Sequence, residues 1–331
     1  SLAESGAHII FIDKGPRAAS GYSDFENQSR RFAEVLDGMR ERIHSGADLG
    51  ALIGDAGIKR EQMVDADIQG IRKRNPAGGW IYFINNPTRK VFEGWLPLSV
   101  AVDGIMLFDP MTGNSGKGRI RKSSSGTEVY ARLDPAQSLI VESYSSSIGI
   151  PEFPYIEMAG APIALTGQWK MTFDSGGPQL PPPNSTNLLV YWTDLKLQAY
   201  KDFSGTATYE LSFDKPAGDP KRWLLKLDSV KESAEVILNG QSIGTLIGPV
   251  YQLELASELF KDSNVLQIKV SNLMANRIAY MDRNKIFWKK FYNVNFPSRL
   301  RENSRDNLFT AEHWRPRPSG LMGNVQLYPL R

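Results

Sequence analysis

A chain of 331 residues with 41% hydrophobic and 23% charged side chains has the balance of a soluble globular protein, with room for two or three ordinary domains. Its formal net charge of +3 gives no electrostatic case for nucleic acid or an anionic membrane as partner, and its longest apolar runs are strand-sized, too short to cross a bilayer. Cysteine is absent, so disulfides, thiolate catalysis and cysteine-held metals are excluded.

The first sixty-odd residues are the only α/β stretch. Ala7-His8-Ile9-Ile10-Phe11-Ile12 is a continuous apolar run, the signature of a strand covered on both faces. After a loop bearing Gly15, Pro16 and Gly21, Ser23 and Glu26 have the spacing of a capping box. Phe25, Phe32, Val35, Leu36, Met39 and Ile43 then recur every three or four residues, which predicts a helix with one apolar face. Residues 49–53 add a short helical turn. One strand and one helix do not make a doubly wound domain, so this is the tail of such a domain or a piece docked on the β region beyond it. Residues 1–6 lack the basic start and apolar stretch of a signal peptide, and a trimmed N-terminus or a processed precursor accounts for a strand so near the start. The expected location is nonetheless the periplasm or the exterior of a bacterium, which suits a cysteine-free chain.

From about Asp67 the period changes to two. Residues 80–85, 91–100, 102–108, 119–122, 128–133 and 138–143 read as short strands, punctuated by Asn86-Pro87-Thr88-Arg89 and Asp109-Pro110-Met111-Thr112-Gly113. The stretch rich in Ser, Pro and Gly at 146–163 reads as a linker. Beyond it, strands are expected at 206–213, 222–227, 234–238, 250–255, 264–270 and 323–328, with Asn239-Gly240 as the strongest hairpin signal in the chain. Repeated strands without helices between them predict a β-sandwich. The fold class is therefore mainly β, with two antiparallel β domains, at 65–145 and 164–331, after an α/β segment at 1–64. Residues 276–316 form an aromatic and basic excursion that fits no element.

No catalytic motif emerges. His8, His44 and His313 are not in metal-ligand spacing, so no metal is expected. Gly113-Asn114-Ser115-Gly116-Lys117-Gly118 looks like a phosphate cradle, but it lies in a hairpin connection rather than between a strand and a helix. Glycoside hydrolysis needs two facing carboxyl groups. Asp194, Asp202, Asp282 and Glu312 are conceivable, yet no spacing singles out a pair. What the sequence offers instead is aromatic residues among polar ones in loops. Trp192 with Asp194, Asn276 with Arg277, Trp288 and Trp314 are the candidate sugar contacts: aromatic faces stack on sugar C–H groups while amides, carboxylates and guanidinium bond hydroxyls. Each tryptophan has a second reading, as a plug in the end of the sandwich. The basic clusters at 119–122 and 285–290 read as solvated strand faces rather than nucleic-acid contacts.

Three segments carry a resemblance. Phe203-Ser204-Gly205-Thr206-Ala207-Thr208-Tyr209-Glu210, Val236-Ile237-Leu238-Asn239-Gly240-Gln241-Ser242-Ile243-Gly244 and Asn264-Val265-Leu266-Gln267-Ile268-Lys269-Val270-Ser271-Asn272, closed by residues 318–325, resemble the sugar-binding, galactose-binding-like jelly roll of family 2 glycoside hydrolases. The whole chain is similar to the C-terminal region of the α-L-rhamnosidases of family 106, on Lys14-Gly15-Pro16, Tyr82-Phe83-Ile84-Asn85 and the Asp109–Gly113 turn. The resemblance implies a non-catalytic accessory part whose partners are a glycan and the catalytic barrel of the same parent chain, with no cofactor. A structural Ca²⁺ occurs in such jelly rolls, but no Asp-rich ligand run supports one here. Enzymes of that kind carry their carboxylates on a barrel of about 250 residues, for which this chain has no room, so no catalytic residue carries over. A stand-alone lectin-like module is the alternative.

Overall fold

The alternating patterns are realised as sheet: the computed structural model, which describes residues 5–18, 20–124, 126–248, 250–289, 304–305 and 308–331, is mainly β with several antiparallel sheets. Contacts divide it into two units. Ser1–Thr88, Phe92–Leu133 and Ser138–Phe153 make the first, and Arg89–Val91, Asp134–Gln137 and Pro154–Arg331 the second.

The first unit opens with β1 (Ile9–Ile12), α1 (Phe25–Gly38), β2 (Ile43–Gly46) and α2 (Leu49–Asp55). β1 and β2 pair in parallel, Ile9 opposite Ile43. The sequence pattern shows only one strand here, because Ile43 also continues the helical spacing from Met39. The apolar run at β1 is not fully covered: Ile12 is 59% exposed, although α2 packs on the ribbon, with Leu52 3.5 Å from where a Cβ at Gly46 would lie. The capping box is also corrected. Asp24 is the N-cap in a left-handed conformation, φ 51°, with no side-chain cap bond, while the Gln28 amide donates to the Ser23 carbonyl at 2.8 Å. No residue of α1 is buried. At α2 the Asp48 carboxylate does cap, accepting from the N–H groups of Gly50 (2.8 Å) and Ala51 (3.2 Å).

The rest of this unit holds β3 (Gln69–Arg74), β4 (Trp80–Asn85), β5 (Phe92–Leu98), β6 (Gly104–Phe108), β7 (Ser115–Lys117), β8 (Ile120–Ser123), β9 (Gly126–Leu133) and β10 (Ser138–Tyr144). One sheet runs β3-β4-β10-β6-β7 and a second β5-β9-β8. Alternation buries Tyr82, Ile84, Ile105, Leu107, Leu139 and Val141 of the first, and Leu96, Leu98, Val129, Ala131 and Leu133 of the second. The two faces meet at Gly118, where a Cβ would lie 3.1 Å from Ile105 and 3.2 Å from both Leu107 and Val129. Burial pushes the Tyr82 hydroxyl well above the usual phenol range. Ser115–Lys117 pairs with β6, so this glycine-rich segment is the end of a hairpin connection and its returning strand, as the sequence pattern predicts, and not a phosphate cradle. Its Asp109 carboxylate accepts from Met111 N–H at 2.8 Å, and Gly113, φ 75°, completes the turn.

The second unit contains β11 (Ile163–Ala164), β12 (Trp169–Gly177), β13 (Asn184–Thr186), α3 (Gln198–Asp202), β14 (Ser204–Asp214), β15 (Arg222–Lys231), β16 (Ser233–Leu238), β17 (Gln241–Ile247), β18 (Gln252–Ala256), β19 (Ser263–Ser271), α4 (Ala275–Arg283), β20 (Ser304–Arg305), β21 (Leu308–Phe309) and β22 (Gly320–Leu330). A six-stranded sheet, β13-β12-β14-β19-β16-β17, and a four-stranded one, β11-β22-β15-β18, enclose one core. Trp169, Met171, Tyr209, Val236 and Ile268 enter it from the first sheet, and Trp223, Leu225, Leu255, Leu321 and Leu327 from the second. This is a β-sandwich. The aromatic excursion contains a helix, α4, that the sequence pattern does not reveal.

Asn239 and Gly240 form the two-residue turn between β16 and β17, with φ 53° and 81° and Leu238 opposite Gln241. The Asn239 side chain also stitches the turn to the body. Its amide donates to the Leu259 carbonyl and to Asn264 Oδ1, both at 2.9 Å, and its oxygen accepts from Val265 N–H at 3.0 Å. Asn239→Ala is therefore expected to cost about 1–3 kcal/mol in urea denaturation, from the orphaned polar groups together with the left-handed backbone. Among the described residues no helix is long and apolar enough to cross a membrane.

Candidate functional site

The seven tryptophans sort by what covers them. Trp169, Trp192 and Trp223 are in the core. Trp80 carries the guanidinium groups of Arg72 and Arg74 at 4.5 and 5.5 Å from its ring centre, and Trp95 that of Arg121 at 4.6 Å. Trp288 and Trp314 remain, half-buried, on either side of Phe309, with ring centres 6.3 and 5.9 Å from it in edge-to-face contact.

Trp192 is the clearest correction among the candidate sugar contacts. It is 0% exposed, wedged edge-on against Phe173 and Phe203 at 5.7 and 5.9 Å, so it has no face to offer a sugar. Asp194 is exposed on the short 3₁₀ turn that buries Trp192. Asn276 is 3% exposed and fastens the last loop to α4: its amide donates to the Arg317 carbonyl at 3.0 Å, and its oxygen accepts from Arg317 N–H at 2.7 Å. Arg277 lies over the backbone of Gly177, where a Cβ would come within 2.6 Å of the guanidinium carbon. These two residues therefore hold the sandwich end together, and their sequence neighbourhood gives no sign of it.

Trp288 and Trp314 do converge, at the C-terminal end of α4. The Asp282 side chain, 7% exposed, anchors the cluster. Its Oδ1 accepts from Trp288 Nε1 at 2.6 Å and lies 3.3 Å from Lys289 Nζ, while Oδ2 accepts from Ala311 N–H at 2.7 Å. Lys289 also donates to the Phe309 carbonyl at 2.6 Å. A cavity of about 300 Å³ opens there, lined by Asp282, Lys285, Ile286, Phe287, Trp288, Lys289, Arg305, Phe309 and Thr310. Apolar rings beside a few fixed polar groups are what a saccharide site requires. Sequence reasoning misses Lys289 and Phe309 because nothing in a one-dimensional pattern brings β21 to the end of α4. The nearness of Asp282 and Trp288 in the chain, six residues apart, is the one available signal.

Of the other conceivable carboxylates, Asp202 and Glu312 have partners. Asp202 holds Arg283 and accepts from Gln198 at 2.9 Å, and Glu312 lies 3.6 Å from Arg305 and 3.1 Å from His313. The basic residues at 119–122 are paired too, Arg119 with Glu152, Arg121 with Glu128 and Lys122 with Asp103. Lys290, the end of the second basic cluster, lies outside the described residues. His8 and His44 do come together, Nδ1 to Nε2 at 2.9 Å, because β1 and β2 place them side by side. Among the described residues no group of three or more His, Cys, Asp or Glu side chains could hold a metal ion.

Two comparisons bear on this chain, and no protein-family profile matches it. A Formosa agariphila protein named "Putative beta-glucuronidase" is 30% identical over 201 residues, 56% of this chain and 17% of that protein. The structure of a rhamnosidase from Novosphingobium sp. PP1Y superposes with a TM-score of 0.69 at 22% identity, over 99% of this chain and 31% of that one. The class these findings define is a mainly β, glycosidase-related chain. It spans well under half the length of each protein it matches.

Proposed function

We propose that this chain is the C-terminal, non-catalytic part of an exported bacterial glycoside hydrolase of the α-L-rhamnosidase-like kind. Its second unit is the galactose-binding-like jelly roll of that enzyme, and its β units buttress a catalytic barrel elsewhere in the parent chain. The cluster of Trp288, Phe309 and Trp314 contacts the glycan, with the two carboxylates of hydrolysis lying on the barrel.

One observation supports this most: almost the entire chain follows the fold of less than a third of a rhamnosidase. The engagement of Asp202, Asp282 and Glu312 as acceptors within the sandwich agrees with it. The test is the coding sequence around this chain. A frame encoding about 250 residues of alternating strands and helices on the same polypeptide supports the proposal, and an intact gene without one sinks it. That second outcome would leave the lectin-like reading, which the open cavity beside Trp288 favours.

A further inference from the structure

We propose that the cavity at the end of α4 selects an anionic sugar unit, whose carboxylate or sulfate ester is held by Lys285 and Arg305 while its ring rests on Phe287 and Trp288. This rests on the glycan-contact reading and names the class of glycan.

The charge balance of the lining leads to it. Three cations, Lys285, Lys289 and Arg305, line the cavity against one carboxylate, Asp282, and since Lys289 is paired with that carboxylate the surplus positive charge belongs to Lys285 and Arg305. That carboxylate is already saturated by Trp288, Ala311 and Lys289, so it orients the floor and leaves little charge for a ligand. Lys285 lies just beyond α4 in a left-handed turn, φ 58°, and is exposed. Among the described residues its ammonium has no hydrogen-bond or ion-pair partner. Arg305 is 69% exposed and only loosely matched to Glu312, at 3.6 Å. Beside these cations Phe287 stands 75% exposed, a large apolar ring without a core to fill. Cations flanking an aromatic platform bind a ring that carries one negative group: the anion gains charge-assisted bonds and the C–H face stacks. At about 300 Å³ the cavity is at the small end of ligand sites and suits one such unit. Three cations around one cavity do not form the extended track that a polynucleotide backbone needs.

The test is calorimetric titration of the full chain with a glucuronate-terminated disaccharide, its neutral glucose counterpart, its glucose 6-sulfate counterpart and inorganic sulfate. Binding of one or both acidic sugars at least about tenfold tighter than the neutral sugar, weakened severalfold by Lys285→Ala and by Arg305→Ala, is the expected result. Which acidic sugar binds decides between carboxylate and sulfate ester. Phe287→Ala should weaken every sugar alike. All three side chains are exposed, and unchanged circular dichroism and melting confirm that the variants fold. Inorganic sulfate binding as tightly as the acidic sugars would overturn the proposal, as would an acidic ligand indifferent to Lys285 and Arg305. A neutral sugar bound equally well and lost in Phe287→Ala overturns the charge selectivity while sparing the glycan-contact reading. No binding by any sugar overturns both.

Discussion

Trp192→Ala is expected to lower the unfolding free energy of the second unit by about 3–5 kcal/mol, among the largest effects of any single truncation in the chain. The ring is 0% exposed and meets Phe173 and Phe203 edge-on, so its removal leaves a cavity that rigid sheets on both sides do not collapse into. The indole Nε1 has no hydrogen-bond partner among the described residues. Trp192→Phe should therefore cost much less than the alanine change, because it removes an unsatisfied buried donor while keeping most of the packing. Urea denaturation of the three proteins checks both statements. A Trp192→Ala variant as stable as the parent, with only glycan affinity lost, would return this residue to the ligand surface.

The second large effect is expected at Gly320, where β22 begins against the same tryptophan. Its φ is 113°, and a Cβ there would lie 2.4 Å from Tyr209 Oη and 2.8 Å from Trp192 Cε3. The Tyr209 hydroxyl cannot simply swing away, since it accepts from Leu321 N–H at 3.2 Å in a site so buried that its pKa is pushed well above the phenol range. Gly320→Ala combines backbone strain with overpacking and should cost about 2–4 kcal/mol. With Trp192→Ala in the background part of the clash disappears. The double variant should then be less destabilised than the sum, by about 0.5–3 kcal/mol. Strict additivity in denaturant midpoints would show that the two residues are not in contact.

These residues also mark how far the sequence can be read. Strands such as Trp80–Asn85 and Ser233–Leu238 are legible because one buried face imposes period two, and Asn239-Gly240 because a two-residue hairpin demands positive φ twice. The N-terminal stretch misleads where local signals are degenerate: Ile43 fits a helix face and a strand equally, and Ser23 and Glu26 have a capping spacing that the left-handed Asp24 makes useless. For the site, aromatic identity is visible in the sequence and exposure is not. Nothing local distinguishes Trp192, in the core, from Trp288, at the cavity, because the difference is made by Phe173 and Phe203 on one side and by Phe309 on the other. Asn276 and Arg277 stand out as polar residues beside aromatics, yet their partners, Arg317 and Gly177, are distant in the chain.

The central claim is that these residues form a scaffold with a glycan-contacting edge and hold no reaction centre of their own. The most direct measurement is nitrophenol release from nitrophenyl α-L-rhamnoside and β-glucuronide by the purified chain. Release at the buffer rate is the expected result. Turnover above buffer that disappears in Asp282→Asn or Glu312→Gln would place working carboxylates inside the sandwich and contradict it.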